Sequence, residues 1–150
     1  MSHTFTSLLT HAVWSTRSRE PLLDPDLEAR LYPYLGGIVR QLGGKSYCVN
    51  GSTDHIHILF EVPPKISVAE CIGKIKGSSS KWIHESMPER FDFAWQRGYG
   101  SFSVSKSNLP SVARYIERQK IHHAKVDFES EFLVLLRKHG VAFEERYVFD

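Results

Sequence analysis

The sequence predicts an α+β fold: an antiparallel sheet with helices packed on one face. Three observations predict it. Short stretches of alternating or β-branched apolar residues are interleaved with stretches of helical period, Asn50-Gly51 marks a hairpin between two of the short stretches, and 150 residues suit one core. Residues 1–150 are therefore expected to form a single domain.

Taken in order, Phe5 to Thr16 is rich in Thr, Leu, Val and Trp and precedes a breaker-rich stretch, which predicts a first strand. A helix follows. Asp24 serves as its N-cap with Pro25 at the first helical position, and Leu27, Leu31, Leu35 and Ile38 recur at helical spacing. Pro33 and the Gly36-Gly37 pair make this helix imperfect, and Gly43-Gly44 ends it. Lys45 to Asn50 reads as a short strand, and His55 to Phe60 as its hairpin partner, stopped by Pro63 and Pro64. Ser67 caps a second helix through Val68, Cys71, Ile72 and Ile75 toward Trp82 and Ile83. Tyr99 to Ser105 alternates again as a strand. The order strand, helix, strand, strand, helix, strand is the ferredoxin-like split βαβ plan. Its sheet is expected to leave one face free for a ligand or another subunit. Two C-terminal helices complete the chain: Leu109 to about Ala124, capped by Ser107 or Asn108, and Phe128 to His139, stopped by Gly140.

Composition narrows the function. Hydrophobic residues make up 41% and charged residues 24%, far from a disordered chain. No apolar run approaches the roughly 20 residues that span a bilayer, and MSHTFTSLLT has neither a basic start nor a small-residue cleavage site, so a cytoplasmic protein with no membrane partner is expected. Cys48 and Cys71 fit neither a disulfide framework nor a zinc knuckle. The net charge of +2 conceals a segregation: residues 1–64 sum to −1, residues 65–125 to +6 and residues 126–150 to −3. A basic middle points to a polyanionic partner or simply to a solvated face.

Chemistry concentrates in two places. In Asp54-His55-Ile56-His57-Ile58-Leu59 the period of a strand sends His55 and His57 to the same face, roughly 7 Å apart at Cα, while Ile56 and Ile58 enter the core. Read alone, such a pair is more often a surface or hydrogen-bonded pair than half a metal site. Asp54 orients an imidazole or simply closes the turn. The second place is the helix after the last strand, where Tyr115 and Gln119 are spaced one turn apart on one face. Singly, a packed tyrosine and a solvated glutamine explain them.

The histidine-hydrophobic-histidine strand motif (the HUH signature), followed by a helix with Tyr115 and Gln119, resembles the single-tyrosine HUH transposases, which move small insertion sequences as single-stranded DNA. Further similar segments are His11-Ala12-Val13-Trp14-Ser15-Thr16-Arg17, Lys76-Gly77-Ser78-Ser79-Ser80-Lys81, Gly98-Tyr99, Phe102-Ser103-Val104-Ser105 and Tyr115 to His123. The resemblance implies that His55, His57 and Gln119 bind one divalent ion, Mg²⁺ or Mn²⁺, and that Tyr115 is the nucleophile. It implies a 5′-phosphotyrosine intermediate, a homodimer, and a substrate of single-stranded DNA with hairpins. Three neutral ligands would leave the ion its full charge and bind it weakly until DNA arrives. DNA contacts are expected from Lys74, Lys76, Ser78 and Lys81 on the second helix and from Arg97, Arg114, Arg118 and Lys120 near the tyrosine. Trp95 and Tyr99 stack on a base or pack in the core. His122 and His123 serve as an extra ligand or proton carrier, or answer to the helix C-terminal dipole. His3, His11, His84 and His139 carry no functional expectation.

Three other readings compete: a non-catalytic single-stranded nucleic-acid binder on the same sheet, a domesticated relative cutting palindromic repeats, and a metal-dependent hydrolase using water. Only the tyrosine readings require Tyr115 for covalent attachment.

Overall fold

A computed structural model describes residues 3–149. Four antiparallel strands form one sheet in the order β2-β3-β1-β4: β1 (Leu9–Ser15), β2 (Lys45–Gly51), β3 (His55–Glu61) and β4 (Gly100–Ser103). With α1 (Pro25–Gln41) after β1 and α2 (Val68–Ser86) after β3, this is the split βαβ plan. Its N-caps are those the sequence marks. The Asp24 side chain accepts from the Leu27 amide at 2.9 Å, and the Ser67 hydroxyl from the Glu70 amide at 3.0 Å.

The period of two along the strands sorts residues into two cores. Ala12 and Trp14 of β1 and Ile56, Ile58 and Phe60 of β3 pack under α1 and α2 with Leu27, Leu31, Leu35, Ile72 and Ile75. Val13 of β1 and Phe102 of β4 face the other way, where they meet Phe128, Phe132, Leu135 and Leu136 of α5 (Phe128–Lys138). The second face is thus covered by this chain's own C-terminal helices, contrary to the expectation that it stays free. The reason is the apolar stripe of α5, which can be buried only against that sheet face.

Three further differences have local causes. The first strand begins at Leu9, since its partner β3 offers seven residues, from Glu61 opposite Leu9 to His55 opposite Ser15. Asn50 and Gly51 are the last paired residues of β2, opposite His57 and Ile56, and the turn itself is made by Ser52, Thr53 and Asp54. A Cβ on Gly51 would collide with the His55 carbonyl oxygen, so the glycine permits the close return of the chain. Last, the helix expected over Leu109 to Ala124 is broken at Arg118 (φ −94°, ψ 13°) into α3 (Leu109–Glu117) and α4 (Gln119–His122). The Asn50 amide donates to the carbonyls of Ile116 at 3.0 Å and Glu117 at 3.1 Å, the oxygens a continuing helix would direct to its next turn. Among the described residues no helix is long and apolar enough to cross a membrane.

Candidate active site

β3 is paired on both edges, by β2 and β1, and helices cover both faces of the sheet, so His55 and His57 are fully buried. Their side chains leave the face opposite Ile56 and Ile58, toward α3, α4 and α5. Each ring is held at its Nδ1. Asp54 Oδ1 lies 2.8 Å from His55 Nδ1, and His11 Nε2 lies 2.7 Å from His57 Nδ1. His11 reaches His57 because it sits two residues along β1 from Val13, the register partner of His57, which makes the two histidines diagonal neighbours. Both Nε2 atoms are thereby turned inward.

They meet a carboxylate. Asp127 caps α5, accepting from the Ser130 amide at 2.8 Å, and Phe128, Phe132 and Leu135 fasten the helix to the sheet. Glu131 falls on that apolar side and is only 3% exposed. Its Oε1 lies 3.0 Å from His57 Nε2, 2.9 Å from His123 Nε2 and 3.4 Å from His55 Nε2. Its Oε2 accepts from the Tyr115 hydroxyl and, at 2.9 Å, from the Gln119 amide. Gln119 Oε1 lies 3.1 Å from His55 Nε2. Tyr115 lies in the last turn of α3 and Gln119 begins α4, yet both side chains reach the one carboxylate across the break at Arg118.

Burial and neighbours set the protonation. Burial lowers His57 to about 4 and His11 to about 3, so both are neutral at pH 7. Burial also opposes charge on His55, but hydrogen bonds that its ring donates to the carboxylates of Asp54 and Glu131 outweigh it and raise this ring to about 9. Glu131 is pushed upward by burial and more strongly downward by His123, His55 and His57, and stays ionised. A neutral His57 that donates through Nε2 to Glu131 must accept at Nδ1 from His11. Burial and the Glu131 charge push the Tyr115 hydroxyl upward, so ionising it requires a proton acceptor or a cation close by.

His55, His57 and His123 each present a ring nitrogen and Glu131 a carboxylate oxygen, all within 4.8 Å of one another. Imidazole nitrogens and one carboxylate oxygen are a donor set that suits a divalent ion. Beside the three neutral ligands that the resemblance implies, His55, His57 and Gln119, stands a buried anion, Glu131. His123 points its Nε2 at that anion, which the dipole reading does not explain. Glu131 is not singled out in the sequence, and His11 stands only within a similar segment, with no role of its own. The signal for Glu131 is a carboxylate set within the stripe of Phe128, Phe132 and Leu135.

Beside the cluster a cleft of about 620 Å³ opens between β4, α3 and α5, with Tyr115, His122 and Glu131 on its wall. An adjoining shallow hollow is lined by Arg114, Arg118 and Lys125 together with Tyr115. Arg97, Arg114 and Arg118 are exposed. Lys74, Ser78 and Lys81 are exposed on α2, across the sheet from the histidines, with the lysines 3.5 Å from Glu70 and 3.9 Å from Glu85. The Lys76 ammonium is committed to the carbonyls of Gln96, Arg97 and Gly98 at 2.7, 3.2 and 2.7 Å, and Lys120 to Glu28 at 2.6 Å and the Gly51 carbonyl at 2.7 Å. Trp95 belongs to the core, its ring nitrogen donating to Ser79 at 3.0 Å, whereas Tyr99 is exposed.

Residues 4–119 match the family described as "Transposase IS200 like". The chain is 39% identical over 71 residues to the transposases for insertion sequence element IS200 of Salmonella typhimurium and Salmonella typhi. That match covers 44% of this chain and 46% of each relative, so it spans about half the length of these two. It is 23% identical over 114 residues to the ISDra2 transposase TnpA of Deinococcus radiodurans, covering 73% of this chain and 81% of that one. Among solved structures it is similar to a Deinococcus radiodurans R1 protein described as a candidate transposase (TM-score 0.65, 22% identity, 79% of this chain, 95% of that one). It is also similar to a REP-associated tyrosine transposase bound to a REP hairpin (TM-score 0.60, 12% identity, 84% of this chain, 74% of that one). At these identities the structural likeness is one of fold.

Proposed function

This chain belongs to the IS200-like transposase family, and we propose that it cleaves and rejoins single-stranded DNA at hairpin-bearing ends through a phosphotyrosine intermediate. The observation that carries this reading is the convergence, in one chain, of Tyr115, Gln119, His55 and His57 on the carboxylate of Glu131. The REP hairpin held by a structural neighbour supports a hairpin substrate here as well.

Tyr115 Oη forms a bond to the phosphorus of the scissile phosphodiester and gives its proton to Glu131 Oε2, the oxygen it already faces. The bond from phosphorus to the upstream 3′ oxygen breaks, and that oxygen takes up a proton from water and leaves as a hydroxyl. The downstream 5′-phosphate stays on the tyrosine. Attack by a DNA 3′-hydroxyl reverses the step, so no nucleotide energy source is needed. A divalent ion, Mg²⁺ or Mn²⁺, held by His55, His57 and Gln119, supplies Lewis-acid polarisation of a phosphate oxygen when bound. Gln119, donating to Glu131 at 2.9 Å, fixes the carboxylate against the tyrosine.

Arg114 and Arg118 line the hollow beside Tyr115 and attract the DNA backbone, with Arg97, Lys74, Lys81 and the Ser78 hydroxyl as outlying contacts. Lys76 and Lys120 act at one remove, by fixing the backbone at Gln96 to Gly98 and at Gly51. The working form is a homodimer in which each Tyr115 serves the histidines of its own chain. The test is incubation of the protein with labelled hairpin DNA and Mn²⁺, followed by a denaturing gel. A covalent protein-DNA band is expected from the parent protein and none from Tyr115→Phe. A band that survives that substitution overturns the assignment.

A further inference from the structure

Glu131 is a buried anion that lies beyond residue 119, where the family match ends. Its two oxygens face different groups. Oε1 lies among the ring nitrogens of His57 (3.0 Å), His123 (2.9 Å) and His55 (3.4 Å), whereas Oε2 faces the Tyr115 hydroxyl and the Gln119 amide. The outer nitrogens of the strand histidines are already engaged, His55 by Asp54 and His57 by His11. What remains turned inward is a compact set of three imidazole nitrogens and one carboxylate oxygen.

We propose that Glu131 and His123 join His55, His57 and Gln119 as ligands of a resident divalent transition-metal ion, held before DNA arrives, with Oε1 toward the ion and Oε2 kept for the nucleophile. The proposal rests on the transposase reading only for the use to which the ion is put. Its basis is the donor set. Mg²⁺ prefers oxygen ligands and keeps much of its water, whereas a nitrogen-rich set with one carboxylate favours Mn²⁺, Zn²⁺ and their neighbours. One carboxylate cancels half of the ion's charge and raises affinity over a wholly neutral set. Because one side chain faces both ligand group and nucleophile, the C-terminal helix α5 ties the place of the ion to the place of Tyr115.

The test uses full-length protein stripped with chelator and titrated calorimetrically with Mn²⁺, Zn²⁺ or Mg²⁺, without DNA. One Mn²⁺ or Zn²⁺ per chain is expected, bound at least 100-fold more tightly than Mg²⁺. Glu131→Gln and His123→Ala should each weaken Mn²⁺ at least tenfold while keeping the parent circular dichroism. Should Glu131→Gln fail to fold, His123→Ala decides alone. In the Co²⁺-loaded protein, proton NMR should show one fewer shifted imidazole resonance for His123→Ala than for the parent. Parent-like Mn²⁺ affinity in both variants, or equal affinity for Mg²⁺ and Mn²⁺, overturns the proposal. The covalent-adduct gel is a separate readout: tight Mn²⁺ binding without adduct would sink the transposase reading and leave this one standing.

Discussion

His11 Nε2 lies 2.7 Å from His57 Nδ1, and both rings are buried between β1 and the helices over it. The contact can run in either direction. When His57 donates through Nε2 to Glu131, His11 donates to His57. When His57 Nε2 gives its lone pair to an ion, His57 Nδ1 carries the proton and His11 accepts. His11→Leu removes both options and should weaken Mn²⁺ binding by about 10-fold to 100-fold. His11→Gln, whose amide can donate or accept, should recover much of that loss. Calorimetry on the two variants checks this, and equal affinities would leave His11 a mere filler.

The same histidines set a pH optimum for stability of the metal-free protein. His11 and His57 resist protonation to about 3 and about 4, below the ordinary 6.5, so the unfolded chain binds more protons and stability falls as pH drops from 6.5 toward 4. His55 holds its proton up to about 9, so its contribution is full below 6.5 and is lost as pH rises through 9. From these three groups stability should peak near pH 6.5. Urea melts across pH 4 to 10 on the parent and on His55→Gln should show the alkaline decline shrinking in the variant.

Asn50 ends α3 by taking two carbonyls, and so sets how Tyr115 and Gln119 sit relative to each other. Asn50→Ala should cost about 1–2 kcal/mol for the two bonds lost. Asn50→Asp should cost more, because a carboxylate then faces carbonyl oxygens. Denaturant unfolding measures both, and adduct yield should fall in each.

Tyr115 reaches Glu131 within one chain. Mixing His57→Ala with Tyr115→Phe should therefore give no more adduct than either variant alone. Recovery in the mixture would mean that the tyrosine serves the partner's histidines.

Much of this arrangement could be read from the residues. The Asp24 and Ser67 caps, the alternation His55-Ile56-His57-Ile58 and the amphipathic α5 follow from local chemistry, and they order the sheet. The break at Arg118 could not be read, since it comes from a side chain far away in sequence on β2. Glu131 was hidden for a related reason. Its partners His57 and His123 lie on two other elements, and only packing of α5 on the second sheet face brings the charge to them. His11 reaches His57 through a diagonal across two strands, a relation set by register.

Where the broken phosphodiester goes decides whether Tyr115 is the nucleophile. Hairpin DNA should be labelled at its 5′ end in one sample and at its 3′ end in another, treated with protein and Mn²⁺, and resolved under denaturing conditions. The 3′ label should travel with the protein, on a peptide that mass spectrometry assigns to Tyr115, while the 5′ label runs as a free shortened strand ending in a hydroxyl. Cleavage that leaves both labels free of protein, or an adduct on another residue, would contradict it.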